Sequence, residues 1–310
     1  MNTLKDKILT GDKGSIAKGI SMVENEQKGS QELLKSLFKN TGKAYFIGIT
    51  GPPGSGKSTL TNLLAKKFRE NNFKVGVIAV DPTSPFTGGA VLGDRIRMQD
   101  IGMDENVFIR SMATRGSLGG LAKKTKEACE ILDAAGMNFI IIETVGVGQT
   151  ELDIIQTADT TIIVLVPESG DAVQTMKAGL MEIGDIFVIN KSDREGSDAL
   201  GLALRTMLHL KMKADDNRNI SVLKTVATQN KGINELYDEI LKHKNYLEEN
   251  GRIVTKRREH LLKQINELVN NKLEDKFWSE ERKKQLEDNI ERISRREETP
   301  YNFAEEILKN

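Results

Sequence analysis

Apolar residues along the chain form short runs that alternate with amphipathic stretches of helical periodicity. The runs are of strand length, are rich in β-branched residues, and lie at 44–50, 74–80, 107–112, 138–142, 161–166, 185–189 and 220–225. This alternation is typical of a parallel sheet that is covered by helices on both faces. We therefore predict an α/β fold with a mostly parallel sheet for residues 44–245.

The two flanking segments carry only helical patterning. Residues 1–43 are polar, with apolar positions spaced as in helices, and predict an N-terminal helical extension. In residues 246–310, apolar residues recur every three or four positions from Leu261 to Phe277, which predicts a C-terminal helical arm. That arm is either a lid on the same protomer or a dimerisation arm. We favour dimerisation, because the apolar stripe of this segment is longer than is needed to cover the predicted sheet.

A phosphate-binding motif follows the first predicted strand. Residues 51–59 fit G-x-x-x-x-G-K-[ST], and a helical pattern from 58 to 69 follows them. The glycines let the backbone N–H groups point at phosphates, Lys57 reaches the β- and γ-phosphates, and the Ser58 hydroxyl ligates Mg²⁺. A plain glycine-rich turn is the alternative, which the flanking strand and helix disfavour. The predicted nucleotide-binding residues are Gly51, Pro52, Pro53, Gly54, Ser55, Gly56, Lys57, Ser58 and Thr59.

A second motif predicts which base is bound. Asn190, Lys191, Ser192 and Asp193 follow the strand-like run at 185–189 and fit N-K-x-D. The Asp193 carboxylate can accept from both N1–H and the exocyclic amine of guanine, whereas adenine has no donor at N1. A site built on such hydrogen bonds rejects the wrong base by roughly 10⁴ or more. The two motifs together predict GTP.

Acidic residues end two of the predicted strands. Asp81 follows the run at 74–80, and Glu143 follows the run at 138–142. The carboxyl ends of parallel strands are where an open α/β sheet binds its ligand, so we expect both to serve Mg²⁺, with Asp94 presented from the glycine-rich stretch that follows Asp81. Gly146 forms E-x-x-G with Glu143 and is expected to contact the γ-phosphate. Either acid at a strand end could instead simply begin a turn.

The residue that orients the attacking water is missing from its usual place. Ras-like proteins carry a glutamine directly after D-x-x-G, but this chain has Val147, with Gln149 two positions further on. We therefore expect slow unassisted hydrolysis and a partner that accelerates it. Arg95 and Arg97 are either phosphate-neutralising residues or exposed helical arginines.

The motifs GPPGSGKST, VDPTSPFTGGAVLGDRIRM, ETVGVGQTE and VLVPESGDAVQTMKAGLMEIGDIFVINKSD, with GDKGSIAKGISMVEN near the start, resemble the methylmalonyl-CoA mutase-associated GTPases, also known as ArgK-type or LAO/AO transport ATPases. The resemblance covers about residues 8–245. It implies a homodimeric P-loop GTPase that gates adenosylcobalamin loading of a cobalamin-dependent acyl-CoA mutase and protects or reactivates that mutase. Whether a cobalamin adenosyltransferase joins the complex is left open.

The resemblance also implies roles for individual residues. The loop 168–177 corresponds to an additional switch that relays the nucleotide state to the mutase. By this resemblance, the residues that bind phosphate and metal are Lys57, Ser58, Asp81, Asp94 and Glu143. The residues that bind guanine are Asn190, Lys191 and Asp193.

The chain departs from the family pattern at two places. Val226 and Ala227 stand where a Ser-Ala pair is usual in the last guanine-contacting loop, which also includes Thr228. The Ala227 N–H is still expected to reach guanine O6, although one hydroxyl is lost. Glu168 and Ser169 differ from the expected pair, which leaves the mutase unidentified.

Two further functions stay open. A metallochaperone GTPase normally has His- or Cys-rich tracts, but this chain has only His209, His243, His260 and Cys129, widely spaced. An ATP-using transport-associated kinase is opposed by N-K-x-D.

Composition and charge fit a cytoplasmic switch. Lys+Arg and Asp+Glu are both 45, so no global field favours nucleic acid or a membrane. The apolar runs are far shorter than the roughly 20 residues of a membrane span, and the N-terminus lacks the apolar core of a signal peptide. We expect Cys129 to be a small core residue.

Overall fold

The computed structural model of the chain describes residues 3–81, 98–113, 125–144, 157–167, 180–211 and 220–309. Its contacts divide the chain into two compact units, Met1–Val254 and Thr255–Asn310. The domain boundaries expected from sequence, 1–43, 44–245 and 246–310, stay predictions.

The first unit is built on a seven-stranded sheet in which every pair of neighbouring strands is parallel. The strand order is β3-β2-β4-β1-β5-β6-β7. The strands are β1 (Tyr45–Thr50), β2 (Val75–Asp81), β3 (Val107–Ala113), β4 (Phe139–Glu143), β5 (Thr160–Leu165), β6 (Ile186–Ile189) and β7 (Ser221–Lys224). Each predicted strand is present within two residues of its predicted ends, so the predicted fold class is confirmed.

Helices precede, connect and follow these strands along the chain. The described α-helices are α1 (Leu4–Leu9), α2 (Lys13–Glu24), α3 (Ser30–Leu37), α4 (Lys57–Glu70), α5 (Gln99–Gly102), α6 (Thr125–Ala134), α7 (Leu180–Ile183), α8 (Ser197–Lys211), α9 (Ile233–Glu249), α10 (Arg252–Phe277), α11 (Glu280–Ser294) and α12 (Pro300–Lys309). The helix predicted to follow the phosphate-binding motif is therefore confirmed as α4.

Side chains that alternate along β2 and β4 belong to two different cores, and a third core in the described part of the chain is formed by residues of β5, β6, α7 and α8. Val77 and Ile141 belong to the core that contains the apolar residues of α4 and α9. Ile78 and Ile140 belong to the other core, with residues of α1, α2, α3 and α6. This period of two is what a sheet covered on both faces requires.

The N-terminal helices contribute to that second core. Ile8, Ile16 and Ile20 are fully buried there, together with Leu37 and Leu132. Residues 1–43, predicted as an extension, therefore supply much of the layer that covers this face. Cys129 is buried in the same core, as predicted, and burial raises the pKa of its thiol.

Buried carboxylates fix the points at which strands begin. Asp133 accepts hydrogen bonds from the backbone N–H groups of residues 42, 43 and 44, at 2.5, 3.2 and 2.9 Å, just before β1. Asp159 accepts from the Phe46 N–H at 2.9 Å, and Asp185 accepts from the Thr161 N–H at 2.8 Å. Because these bonds hold β1 and β5 at their N-terminal ends, the loops at their C-terminal ends start from fixed positions.

The second unit is helical, as predicted for the C-terminal segment. Ser279 caps α11 by accepting from the Arg282 N–H at 3.3 Å, and Phe303 and Ile307 of α12 are buried. By contrast, α10 and α11 bury none of their residues. Among the helices in the described ranges, none is long and apolar enough to cross a membrane.

Candidate nucleotide-binding site

The predicted phosphate-binding loop follows β1, which lies between β4 and β5 in the sheet. Two of its glycines are required by close contacts. A Cβ on Gly51 (φ +141°) would lie 2.1 Å from the Val164 carbonyl oxygen, and one on Gly56 (φ +91°) would lie 2.3 Å from Asn190 Nδ2. Both conformations favour glycine, so this loop can keep its shape only with glycine at these two positions.

Lys57 is the first residue of α4 and is buried. Its Nζ donates to the carbonyl oxygens of Gly51 at 2.8 Å and Pro52 at 3.1 Å. The ammonium group is therefore held against the loop, beside the N-terminus of α4, where helix geometry favours anions. Ser55 is fully buried, and its Oγ has no hydrogen-bond partner among the described residues.

Ser58 and Glu143 join the loop to the end of β4. The Ser58 hydroxyl donates to Glu143 Oε1 at 2.6 Å, and both side chains are buried. Because the Ser58 proton points at the carboxylate, the lone pairs of its oxygen stay available to a cation. Hydroxyl and carboxylate oxygens are ligands that Mg²⁺ accepts alongside phosphate oxygens, so these residues fit the predicted metal.

The two acidic residues lie at the C-terminal ends of strands, as predicted. β4 ends at Glu143 and β2 ends at Asp81. In the register of these strands Ala79 pairs with Glu143, so Asp81 lies two residues farther along the sheet. In the described part of the chain, no three His, Cys, Asp or Glu side chains form a group that could hold a metal ion.

Asn190 connects the two halves of the site. Its Nδ2 donates to the Ser55 carbonyl oxygen at 2.8 Å, and its Oδ1 accepts from Thr225 Oγ1 at 3.0 Å and from the Ala227 N–H at 3.2 Å. The side chain is 2% exposed. Asn190 was predicted to hold both the base and the loop, and the structure places it between the phosphate-binding loop and residues 225–227.

Thr225 is the site residue that sequence reasoning missed. It is buried, its hydroxyl orients Asn190, and its carbonyl oxygen accepts from the Ser192 N–H at 3.0 Å. The available signal was its position directly before the Val226–Ala227 pair. The Ala227 N–H, predicted to reach guanine O6, already donates to Asn190. To bind guanine O6, this N–H would have to share its hydrogen between Asn190 Oδ1 and the base.

The residues after Asn190 form a tight turn at the protein surface. Lys191 adopts φ +55°, which is unusual for a residue with a side chain. The Arg194 N–H donates to its carbonyl oxygen at 3.1 Å. The Asp193 side chain is exposed, which leaves its carboxylate accessible to a base.

The last loop is closed by its own backbone. The Val226 N–H donates to the Lys231 carbonyl oxygen at 3.0 Å, and the reverse bond is 3.2 Å. Gly232 (φ +78°) follows this pair of bonds, and a Cβ on Gly232 would lie 2.2 Å from the Lys224 carbonyl oxygen. Val226 is buried and Thr228 is exposed. The serine hydroxyl expected at position 226 is therefore not needed to close this loop.

Several predicted residues lie outside the described part of the chain. These are Asp94, Arg95, Arg97, Gly146, Val147, Gln149 and the predicted switch loop 168–177, together with the side chain of Asp81. Their roles stay predictions.

Comparison with known protein families gives a match over most of the chain. The family described as "Methylmalonyl Co-A mutase-associated GTPase MeaB" matches residues 16–282. A protein from Pyrococcus abyssi is 50% identical over 313 residues, covering 100% of this chain and 96% of that protein. The GTPase ArgK of Escherichia coli is 35% identical over 278 residues, covering 86% of this chain and 84% of its own.

A mammalian relative and a solved structure extend the comparison. The mouse protein named "Methylmalonic aciduria type A homolog, mitochondrial" is 32% identical over 288 residues, covering 86% of this chain and 69% of its own. A crystal structure of an LAO/AO transport system kinase superposes with a TM-score of 0.75 at 24% identity, covering 99% of this chain and 95% of that one. At this identity the superposition supports the fold alone.

Proposed function

Because the chain belongs to the family of methylmalonyl-CoA mutase-associated GTPases and is itself a GTPase, we propose that its GTP cycle acts on a cobalamin-dependent acyl-CoA mutase. In this proposal GTP binding and hydrolysis gate the loading of adenosylcobalamin and protect or reactivate the mutase. The observation that carries it is the Asn190 bridge, which ties the phosphate-binding loop to the predicted base-recognition loop in a chain of this family.

The bridge supports a switch because it couples two parts of one ligand site. A nucleotide that contacts Asp193 through its base and Lys57 through its phosphates spans loops that Asn190 already joins. Lys57 would hold positive charge against the β- and γ-phosphate oxygens, and the helix α4 would direct its N-terminus at the same group. Bound Mg²⁺ would neutralise charge on those oxygens, with Ser58 and Glu143 holding it.

The absence of a glutamine at position 147 supports the chaperone part of the proposal, because it leads us to expect slow hydrolysis without a partner. Val147 has no group that can orient an attacking water, and unassisted GTPases turn over at roughly 10⁻⁴ to 10⁻² s⁻¹. A mutase that orders the predicted switch loop 168–177 would supply or reposition the missing group. The nucleotide state would then report on whether the mutase is engaged.

A homodimer is the second part of the proposal. Apolar side chains of α10 stay between 43% and 60% exposed at Leu261, Leu262, Ile265, Leu268, Val269 and Leu273. They recur at spacings of three and four, so they lie on one stripe of the helix. An exposed apolar stripe of this length is typical of an interaction surface. A second copy of the chain would cover it.

The experiment measures GTP hydrolysis by the full chain alone and with an adenosylcobalamin-dependent acyl-CoA mutase. The expected rate increase is at least about tenfold, because a partner that supplies a missing group can accelerate a GTPase by roughly 10³ or more. Changing Asp171 or Gln174 in the predicted switch loop should remove the increase and leave the basal rate intact. A cobalamin-independent isomerase serves as the control partner. No change in rate or in GDP affinity with any cobalamin mutase of the same cell would reject the proposal.

A further inference from the structure

Two buried threonine hydroxyls meet directly between the phosphate-binding loop and the end of β4. Thr144 Oγ1 donates to Thr50 Oγ1 at 2.8 Å, and the side chains are 2% and 0% exposed. Thr50 is the last residue of β1 and immediately precedes Gly51. Thr144 immediately follows Glu143, the last residue of β4.

We propose that this hydroxyl pair is a positioning device that holds Glu143 in reach of Ser58 and so sets how strongly the site retains a Mg²⁺-bound nucleotide. The inference rests on the GTPase activity and on the proposed metal role of Glu143. It adds Thr50 and Thr144 as positioning residues that act through Glu143.

Several contacts fix the position of Glu143. Its backbone pairs with Ile49 in the sheet, and its carboxylate accepts a hydrogen bond from Ser58. The next residue, Thr144, makes two further hydrogen bonds to β1. Thr144 donates its N–H to the Ile49 carbonyl oxygen at 3.0 Å and its hydroxyl to Thr50. Because β4 ends at Glu143, the hydroxyl bond is the contact that extends the attachment to β1 beyond the backbone hydrogen bonds.

The sequence places this contact where a small displacement matters most. Thr144 stands two residues before Gly146, which is predicted to contact the γ-phosphate, and Thr50 stands at the start of the phosphate-binding loop. Displacement of a catalytic group by about 1 Å can cost roughly 10²-fold in rate. Loss of the hydroxyl bond also leaves a buried polar group unpaired, which is unfavourable.

The opposite end of β1 offers a matched control. Tyr45 OH and Thr160 Oγ1 form a buried hydroxyl contact at 2.5 Å between the first residues of β1 and β5. Tyr45→Phe removes a buried hydroxyl hydrogen bond from the same strand, but at its N-terminal end, which is the end remote from the phosphate-binding loop. A purely structural role for Thr144 would make the two variants behave alike.

The test compares wild-type protein, Thr144→Val, Thr144→Ser and Tyr45→Phe. It measures affinity for a fluorescent GDP across a Mg²⁺ titration and in excess EDTA, thermal stability, and GTP hydrolysis. Thr144→Val should need about tenfold more Mg²⁺ to reach half of the Mg²⁺-dependent increase in GDP affinity, as expected from a lost buried hydrogen bond. Its GDP affinity in EDTA should stay within about twofold of the wild-type value. Thr144→Ser should resemble wild type. Tyr45→Phe should lose stability without a change in Mg²⁺ requirement.

The inference is overturned if Thr144→Val titrates like wild type, if Thr144→Ser is as impaired as Thr144→Val, or if Tyr45→Phe shifts the Mg²⁺ requirement equally. Should Thr144→Val fail to fold, Thr50→Val and Thr50→Ser make the same comparison from the other side of the bond. A wild-type protein without GTP hydrolysis would reject the underlying activity. Normal wild-type hydrolysis with unaffected variants would reject this inference alone.

Discussion

The side-chain amide of Asn190 reaches the carbonyl oxygen of Ser55, with Nδ2 donating at 2.8 Å across a sequence separation of 135 residues. The same amide accepts two hydrogen bonds through its oxygen, from Thr225 and Ala227. Three loops are thereby joined through one buried side chain. We therefore expect recognition of the phosphates and of the base to depend on each other through the position of Asn190.

Base choice is expected to depend on Asp193. Asp193→Asn should lose GTP affinity and gain affinity for xanthosine triphosphate, because the amide can donate to the additional carbonyl of xanthine. Discrimination at such a site is of the order of 10⁴. Competition binding with GTP, ATP and xanthosine triphosphate checks this. Equal GTP binding by variant and parent, or a parent that prefers ATP, would show that the guanine assignment is wrong.

The close contact between Gly56 and Asn190 makes a separate prediction. Gly56→Ala should abolish nucleotide binding, because the new Cβ would lie 2.3 Å from Asn190 Nδ2 and would push the bridging amide out of place. Gly29→Ala is the control. Gly29 has the same φ of +91°, and a Cβ there would meet nothing within 4 Å.

The two glycine variants separate backbone strain from displacement of Asn190. Gly29→Ala should cost only the strain of the left-handed conformation, about 1–2 kcal/mol, with GTP affinity unchanged. The measurements are thermal melting and GTP titration. Retained GTP affinity in Gly56→Ala would contradict the role given to the Asn190 bridge.

The charge of Glu143, which we propose holds Mg²⁺, is expected to matter more than its hydrogen bond with Ser58. Glu143→Gln keeps an oxygen that can accept from Ser58 but removes the negative charge, so it should raise the Mg²⁺ requirement and slow hydrolysis more than it weakens GDP binding in EDTA. Lys57→Ala should instead abolish triphosphate binding or hydrolysis, because it removes positive charge from the phosphate oxygens.

Asp159→Asn provides a control for that loss of charge. Asp159 accepts from the Phe46 N–H at 2.9 Å near the start of β1, and its amide variant keeps an acceptor oxygen. Its Mg²⁺ titration should match that of wild type. A titration of Glu143→Gln that coincides with wild type would remove Glu143 from the metal site.

Local patterns were sufficient to predict the sheet and the two nucleotide motifs. Each strand is a short apolar run bounded by polar residues, and the phosphate-binding motif lies between a strand and a helix, as at β1 and α4. The role of Thr225 could not be predicted, because it depends on how loops distant in sequence approach each other. The burial of Ile8 and Ile16 was missed for a related reason, since helical periodicity does not identify the surface that a helix covers.

The most direct test of the central claim is the affinity between this protein and a cobalamin-dependent acyl-CoA mutase in each nucleotide state. Calorimetry would give the mutase affinity with GDP and with a non-hydrolysable GTP analogue, and the affinity of each nucleotide with and without mutase. Linkage requires the two ratios to agree, and a coupling of about 1–3 kcal/mol corresponds to roughly 5- to 150-fold. We expect a ratio in that range, equal in both directions. Mutase affinity that is identical in every nucleotide state would contradict the account.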